Sequence, residues 1–156
     1  MFFMEKTIYQ IYDKIFKKIL TLSSKAVINL INGLFSTCYP LDSTIQYNWT
    51  EFEDDELKKI LADTIITING SDSYHMEAQM TEDGDIIFRV FQYGYSHADR
   101  TRENKNGIYT LHFPEPKIIY FSPTNNVPDE FVLQLDFGSQ GKFDYKVSTD
   151  VYKRQL

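Results

Sequence analysis

The stretch "ADTIITINGSDSYHMEAQM", residues 62–80, reads as two β-strands joined at Asn69-Gly70, with β-branched residues crowded into the first arm. Each arm also carries an acid, Asp63 in one and Glu77 in the other. A carboxylate buried without a partner is strongly unfavourable, and two that approach each other repel as well. A cation between them makes the pair tolerable. Side chains alternate along a strand, so His75, Glu77 and Gln79 share one face and Tyr74, Met76, Ala78 and Met80 the other, while Asp63 shares its face with Ile65 and Thr67. Directly opposed residues of an antiparallel pair point to the same side, and their numbers have a constant sum. A two-residue turn at Asn69-Gly70 makes that sum odd and sends Asp63 and Glu77 to opposite faces. A loop of odd length makes it even and brings them together. A metal-site reading therefore requires the odd-length loop or a bulge.

Working outward toward the N-terminus, "TIYQIYDKIFKKIL" repeats Ile8, Ile11, Tyr12, Ile15, Phe16 and Ile19 with the period of an amphipathic helix, and "SSKAVINLINGLF" does so with Val27, Leu30, Ile31, Leu34 and Phe35. A serine is placed to cap the second helix, and Gly33 weakens its end. "STIQYNWTEF" has strand composition, and "DDELKKIL" suggests a turn or short helix. On the C-terminal side, "DIIFRVFQYGYSHADRTRE" returns to the helical period despite Gly94. One stripe is Ile87, Phe88, Phe91 and Tyr95, and another is Arg89, Tyr93, His97 and Arg100. "PKIIYFS", "EFVLQLDFG" and "KFDYKVS" read as strands, the last two around the turn "GSQG". The expected class is mixed α/β (α+β), helices covering a small sheet.

The length of 156 residues suits one domain, and 42% hydrophobic with 15% aromatic content excludes overall disorder. The net charge of −6 argues against a nucleic-acid partner, but five of the acids sit in "EFEDDE", residues 51–56, which leaves room for a basic face elsewhere. No stretch is long and apolar enough for a membrane span, and "MFFMEKT" lacks the pattern of a signal peptide, so the expected location is cytoplasmic. The single cysteine, Cys38, has no internal partner and is expected to fill the core. His75, His97 and His112 lack ligand spacing, "TEDGD" is a turn rather than a calcium loop, and no Gly-rich phosphate loop is present.

Four stretches in order carry a resemblance: "DKIFKKIL", "ADTIITI", "MEAQM" and "FRVFQYGYSHA", with "FPEPKIIYFSP" and "PDEFVLQLDFG" following. Together they resemble the PD-(D/E)XK nucleases, and within them the bacterial recombination-promoting nuclease (Rpn) family. The resemblance implies a restriction-endonuclease-like core over residues 1–149. It also implies a Mg²⁺-dependent DNA endonuclease, a hydrolase of phosphodiester bonds associated with transposition or recombination. Asp63, Glu77 and Gln79 are then the catalytic set, with Mg²⁺ held by Asp63, Glu77 and the backbone carbonyl of Ala78, and Asp13 a further candidate ligand. Carboxylate oxygens suit Mg²⁺, which keeps several waters and bridges to phosphate, and a bound ion acidifies water for attack. Gln79 stands where many superfamily members have lysine, and an amide orients water without supplying charge. Ala62 replaces the proline of the motif's name. Lys14, Lys17, Lys18, Arg89 and Arg100, with Arg102 and Lys105, are candidate contacts to a DNA backbone, with solvated helix faces the plain alternative. The second functional reading is a nuclease-like fold that has lost efficient cleavage and serves as a DNA-binding or interaction module. A homodimer is one option for the oligomeric state.

The final residues, "DVYKRQL", contain "DVYKRQ", which resembles the translation of a transposon-end adapter used in preparing sequencing libraries. That resemblance implies a non-native tail over residues 150–156, exposed and poorly ordered, replacing a helical C-terminal region.

Overall fold

The computed structural model of the protein describes residues 23–49, 64–79, 84–121 and 126–152. The first described helix, α1 (Ser24–Phe35), starts where the sequence placed a cap: the Ser23 hydroxyl accepts from the Ala26 N–H at 3.4 Å. It stops at Ser36, which takes the left-handed conformation with φ 54° and returns its N–H to the Asn32 carbonyl. The Asn32 side chain then fastens the outgoing loop, accepting from the Tyr39 N–H at 2.8 Å and donating to the Tyr39 carbonyl at 3.0 Å. Val27, Ile28 and Ile31 form the buried stripe.

A mixed sheet of six strands follows: β1 (Ile45–Trp49), β2 (Thr64–Ile68), β3 (Asp72–Gln79), β6 (Glu115–Phe121), β7 (Glu130–Asp136) and β8 (Lys142–Tyr152), in spatial order β1-β2-β3-β6-β8-β7. The β1-β2-β3 meander is antiparallel, as is β7 with β8, while β6 lies parallel to both β3 and β8. Parallel neighbours need a long crossover. Between β3 and β6 it consists of helix α2 (Ile86–Arg100) and a separate small hairpin, β4 (Glu103–Lys105) with β5 (Ile108–Thr110).

Each face of the sheet has its own core. On one, Val27 and Ile31 of α1 meet Ile66, Ile68, Tyr74, Met76 and Ile119. On the other, Ile86, Ile87 and Val90 of α2 meet Ile118, Tyr120 and Val147, with Phe131 and Leu133 of β7 packed against them. Strand alternation distributes β3 between the two: Tyr74 and Met76 go to the α1 side, His75 and Glu77 to the α2 side. The expected mixed α/β class with helices flanking a sheet is therefore present.

The hairpin at the centre of the argument is joined by Asn69, Gly70 and Ser71. Asn69 and Gly70 take positive φ, 53° and 71°, and Ser71 donates to the Ile68 carbonyl at 3.2 Å. The ladder pairs Ile68 with Asp72 and Thr64 with Met76, so opposed residue numbers have an even sum. This is the parity that the metal-site reading requires. Asp63 itself lies outside the described residues, as do the expected first helix with Asp13, Lys14, Lys17 and Lys18, and "DDELKKIL".

Three expectations are corrected, and one element is new to the sequence reading. The inward stripe of α2 is Ile86, Ile87, Val90, Tyr93, Gly94, His97 and Ala98, whereas Phe88 and Tyr95, read as part of the apolar stripe, stand 50% and 49% exposed. Helix α2 packs through its smaller side chains, with Gly94 against Phe113 and Pro114 of the segment that leads into β6. Cys38 is exposed rather than core-filling: in its loop it is the neighbouring Tyr39 that packs on the α1-side core and donates to Asp72 of β3. The β4-β5 hairpin was not expected, although its Asn106-Gly107 turn, with φ 54° and 81°, is a recognisable hairpin signal. Finally, Asp150, Val151 and Tyr152 are not a loose end: they continue β8 and pair with Ile119, Tyr120 and Phe121 of β6. Residues 153–156 lie outside the described residues.

Candidate functional site

Glu77 sits on β3, a central strand, with only 3% of its side chain exposed. It is thus not an acid parked at a solvated sheet edge. Its charge is met from α2: Arg89 donates to Glu77 Oε1 through Nη2 at 2.9 Å and through Nε at 3.2 Å. Gln79, two residues along the same face of β3, donates its Nε2 to the same oxygen at 3.0 Å. Three N–H groups thus converge on one carboxylate oxygen. Such charge-assisted bonds are roughly twice as strong as neutral ones. They satisfy the rule that a buried charge must be paired.

The helix supplies Arg89 at this point because α2 begins shortly after β3 ends and runs back along the sheet. Arg89 then faces Glu77, and Tyr93, one helical turn on, faces His75, with ring centroids 6.3 Å apart. His97, a further turn along, is also buried, as is His75 itself. Burial drives the His75 pKa down to about 4, partly opposed by the negative charge of Glu77. His97 is lowered too, first by burial and then by the positive charge of Arg100 and by His75. Both imidazoles are therefore held neutral at neutral pH.

Of the line Arg89, Tyr93, His97 and Arg100, the first three turn toward β3 and Arg100 does not. Arg89 is 23% exposed and turned inward to Glu77. Arg100 is exposed and donates weakly to the Ser96 hydroxyl at 3.4 Å. Arg102 pairs with Asp99 at 3.3 Å and Lys105 with Glu103 at 3.8 Å, both on the surface. Ala78 and Gln79 lie beside Glu77 on β3, facing Ile119 and Tyr120 of β6 in register.

The sequence reading asks for Mg²⁺ between Asp63 and Glu77 and offers Arg89 as a candidate DNA contact, whereas the structure places the Arg89 guanidinium on Glu77. The usable signal was its place in the first helical turn after β3, on one line with Tyr93 and His97. Among the described residues no cluster of three or more His, Cys, Asp or Glu side chains is placed to hold a metal. An open groove of about 820 Å³ lies at the other end of β3, lined by Tyr39, Asp72, Tyr74, His112 and Lys117. Within it Tyr39 donates to Asp72 at 2.7 Å, and Lys117 to the Leu34 carbonyl. Also among the described residues, no helix is long and apolar enough to cross a membrane. No protein-family model, curated protein or solved structure matches this chain.

Proposed function

We propose that the protein is a Mg²⁺-dependent DNA endonuclease of the PD-(D/E)XK type, built on a restriction-endonuclease-like core. The observation that carries this reading is the buried Glu77–Gln79 pair on a central strand, in a hairpin whose register has even parity. Even parity is what an acid in the preceding arm needs in order to share a face with Glu77. The donor types fit a hard cation: the Glu77 carboxylate and the Ala78 carbonyl offer oxygen, which Mg²⁺ prefers. Asp63 completes the proposed set. When bound, Mg²⁺ would acidify a water and offset charge on the phosphate. The chain's own contribution would be to keep Glu77 fixed through Gln79 and Arg89, and to surround it with a dry face formed by His75 and Tyr93. Arg100, with Lys14, Lys17 and Lys18, would meet the DNA backbone.

The test is incubation of the full chain with plasmid DNA and Mg²⁺, comparing wild type with Asp63→Ala and Glu77→Gln. Metal-dependent cleavage lost in both variants is the expected result, and cleavage indifferent to both removes the site. One observation favours the second reading, a binding module without efficient cleavage: the charge of Glu77 is already met by Arg89. A titration that finds DNA binding but no uptake of Mg²⁺ would select that module.

A further inference from the structure

This inference rests on the reading of Glu77 as a metal ligand. Where the nuclease pattern places a lysine next to the strand acid, this chain has the neutral Gln79. A positive charge is nonetheless present, delivered from a different element. The Arg89 guanidinium reaches across from α2 and gives two N–H groups to Glu77 Oε1, at 2.9 and 3.2 Å, alongside the Gln79 amide at 3.0 Å. Glu77 is 3% exposed and Arg89 23%, so the acid is enclosed while the arginine side chain is partly in contact with solvent.

A divalent cation and a guanidinium repel each other and compete for the same lone pairs. From this geometry we infer that Arg89 is a counter-cation built into the site: it occupies Glu77 Oε1 in the metal-free protein, and a divalent cation gains that oxygen only by displacing it. Arg89 is then a positioning residue that sets metal affinity. It acts through Glu77 and touches no reacting atom. The latch has two consequences. It keeps a buried carboxylate compensated when no ion is present, and it raises the metal concentration at which the site fills.

The experiment uses the full chain and Mn²⁺ alone, followed by electron paramagnetic resonance at neutral pH without DNA, so that binding is read separately from activity. Arg89→Met keeps the aliphatic stem and removes the competing charge. It is expected to bind Mn²⁺ about tenfold more tightly than wild type, the scale of a lost charge-assisted hydrogen bond. Arg89→Lys keeps the charge but cannot direct two N–H groups to one oxygen, so it should fall between the two, and it carries the test if Arg89→Met does not fold. Glu77→Gln should lose the binding in either background. Equal affinity in wild type and the Arg89 variants, with binding still abolished by Glu77→Gln, overturns the latch and leaves the metal site standing. Weaker binding in Arg89→Met overturns it as well. No Mn²⁺ uptake by any of these proteins, or uptake indifferent to Glu77→Gln, removes both the latch and the metal reading.

Discussion

At the scale of single residues, the pairing of Glu77 with Arg89 changes what substitutions should do. Glu77 considered only as half of a repelling acid pair would gain from neutralisation. Glu77 bound by three donors should lose from it. We expect Glu77→Gln to lower the unfolding free energy by about 1–3 kcal/mol, the range for hydrogen bonds to charged groups, and toward its lower end because Arg89 is partly solvated. Urea denaturation of metal-free protein checks this, and an unchanged or raised midpoint would show that the ion pair contributes nothing to the fold. His75 gives the second residue-scale expectation. Its pKa falls from 6.5 in the unfolded chain to about 4 in the fold. A depressed base favours the folded state above pH 6.5, and that stability drains away as pH falls from 6.5 toward 4, because the unfolded chain takes up the proton first. His75→Gln should therefore flatten the decline. The stability lost between neutral pH and about pH 5 should be smaller in the variant by roughly 2 kcal/mol. Chemical unfolding of both proteins at the two pH values measures it, and parallel declines would show that the imidazole titrates normally.

At the scale of elements, α2 does most to determine where the site lies. It reads as a helix from its period alone, yet its orientation about its own axis is settled by what it packs against. Gly94 meets the segment that leads into β6: a Cβ there would lie 3.1 Å from Phe113 Cδ1 and 3.5 Å from Cε1. The Phe113 ring is itself held against Phe91 and Tyr145, with centroids 5.5 and 6.2 Å away, so it has little freedom to yield. Gly94→Val should consequently destabilise the fold by about 1–3 kcal/mol through overpacking, despite valine's better helix propensity. Thermal melts would reveal it, and an increase in stability would mean that the helix can lift from Phe113 without loss. The hairpin shows the converse case, an element whose ambiguity was visible in advance. Asn69-Gly70 signals a turn, but two residues or three give opposite parities. The ladder takes the three-residue solution, with Ser71 as the extra residue between Gly70 and Asp72.

At the scale of the whole molecule, the sheet joins an antiparallel meander to a second half by parallel pairing through β6. The end of β8 is part of that junction: Asp150, Val151 and Tyr152 extend the ladder along Ile119–Phe121, and Val151 packs on the α2-side core. Ending the chain after Thr149 should therefore cost about 1–3 kcal/mol, equivalent to a few backbone hydrogen bonds plus partial burial of one valine. The urea midpoint of the shortened chain checks this, and an unchanged midpoint would show that these residues are dispensable to the sheet whatever their origin.

Much of this fold is local in origin and therefore legible. The Ser23 cap, the stripe of Val27 and Ile31, the β-branched run Thr64–Ile68 and the alternation of His75, Glu77 and Gln79 depend only on neighbours a few positions away, because helix and strand periods and backbone sterics are properties of short segments. The sequence by itself thus determined the types of these elements, the mixed class and the presence of an acid within a strand. The tertiary structure decided which cation meets it, which stripe of α2 turns inward, that Cys38 stays outside, and that Asp150 to Tyr152 join the sheet. Those outcomes depend on parallel pairing and helix–sheet packing between segments far apart in the chain. Their energies arise from burial and charge at contacts that no local period encodes.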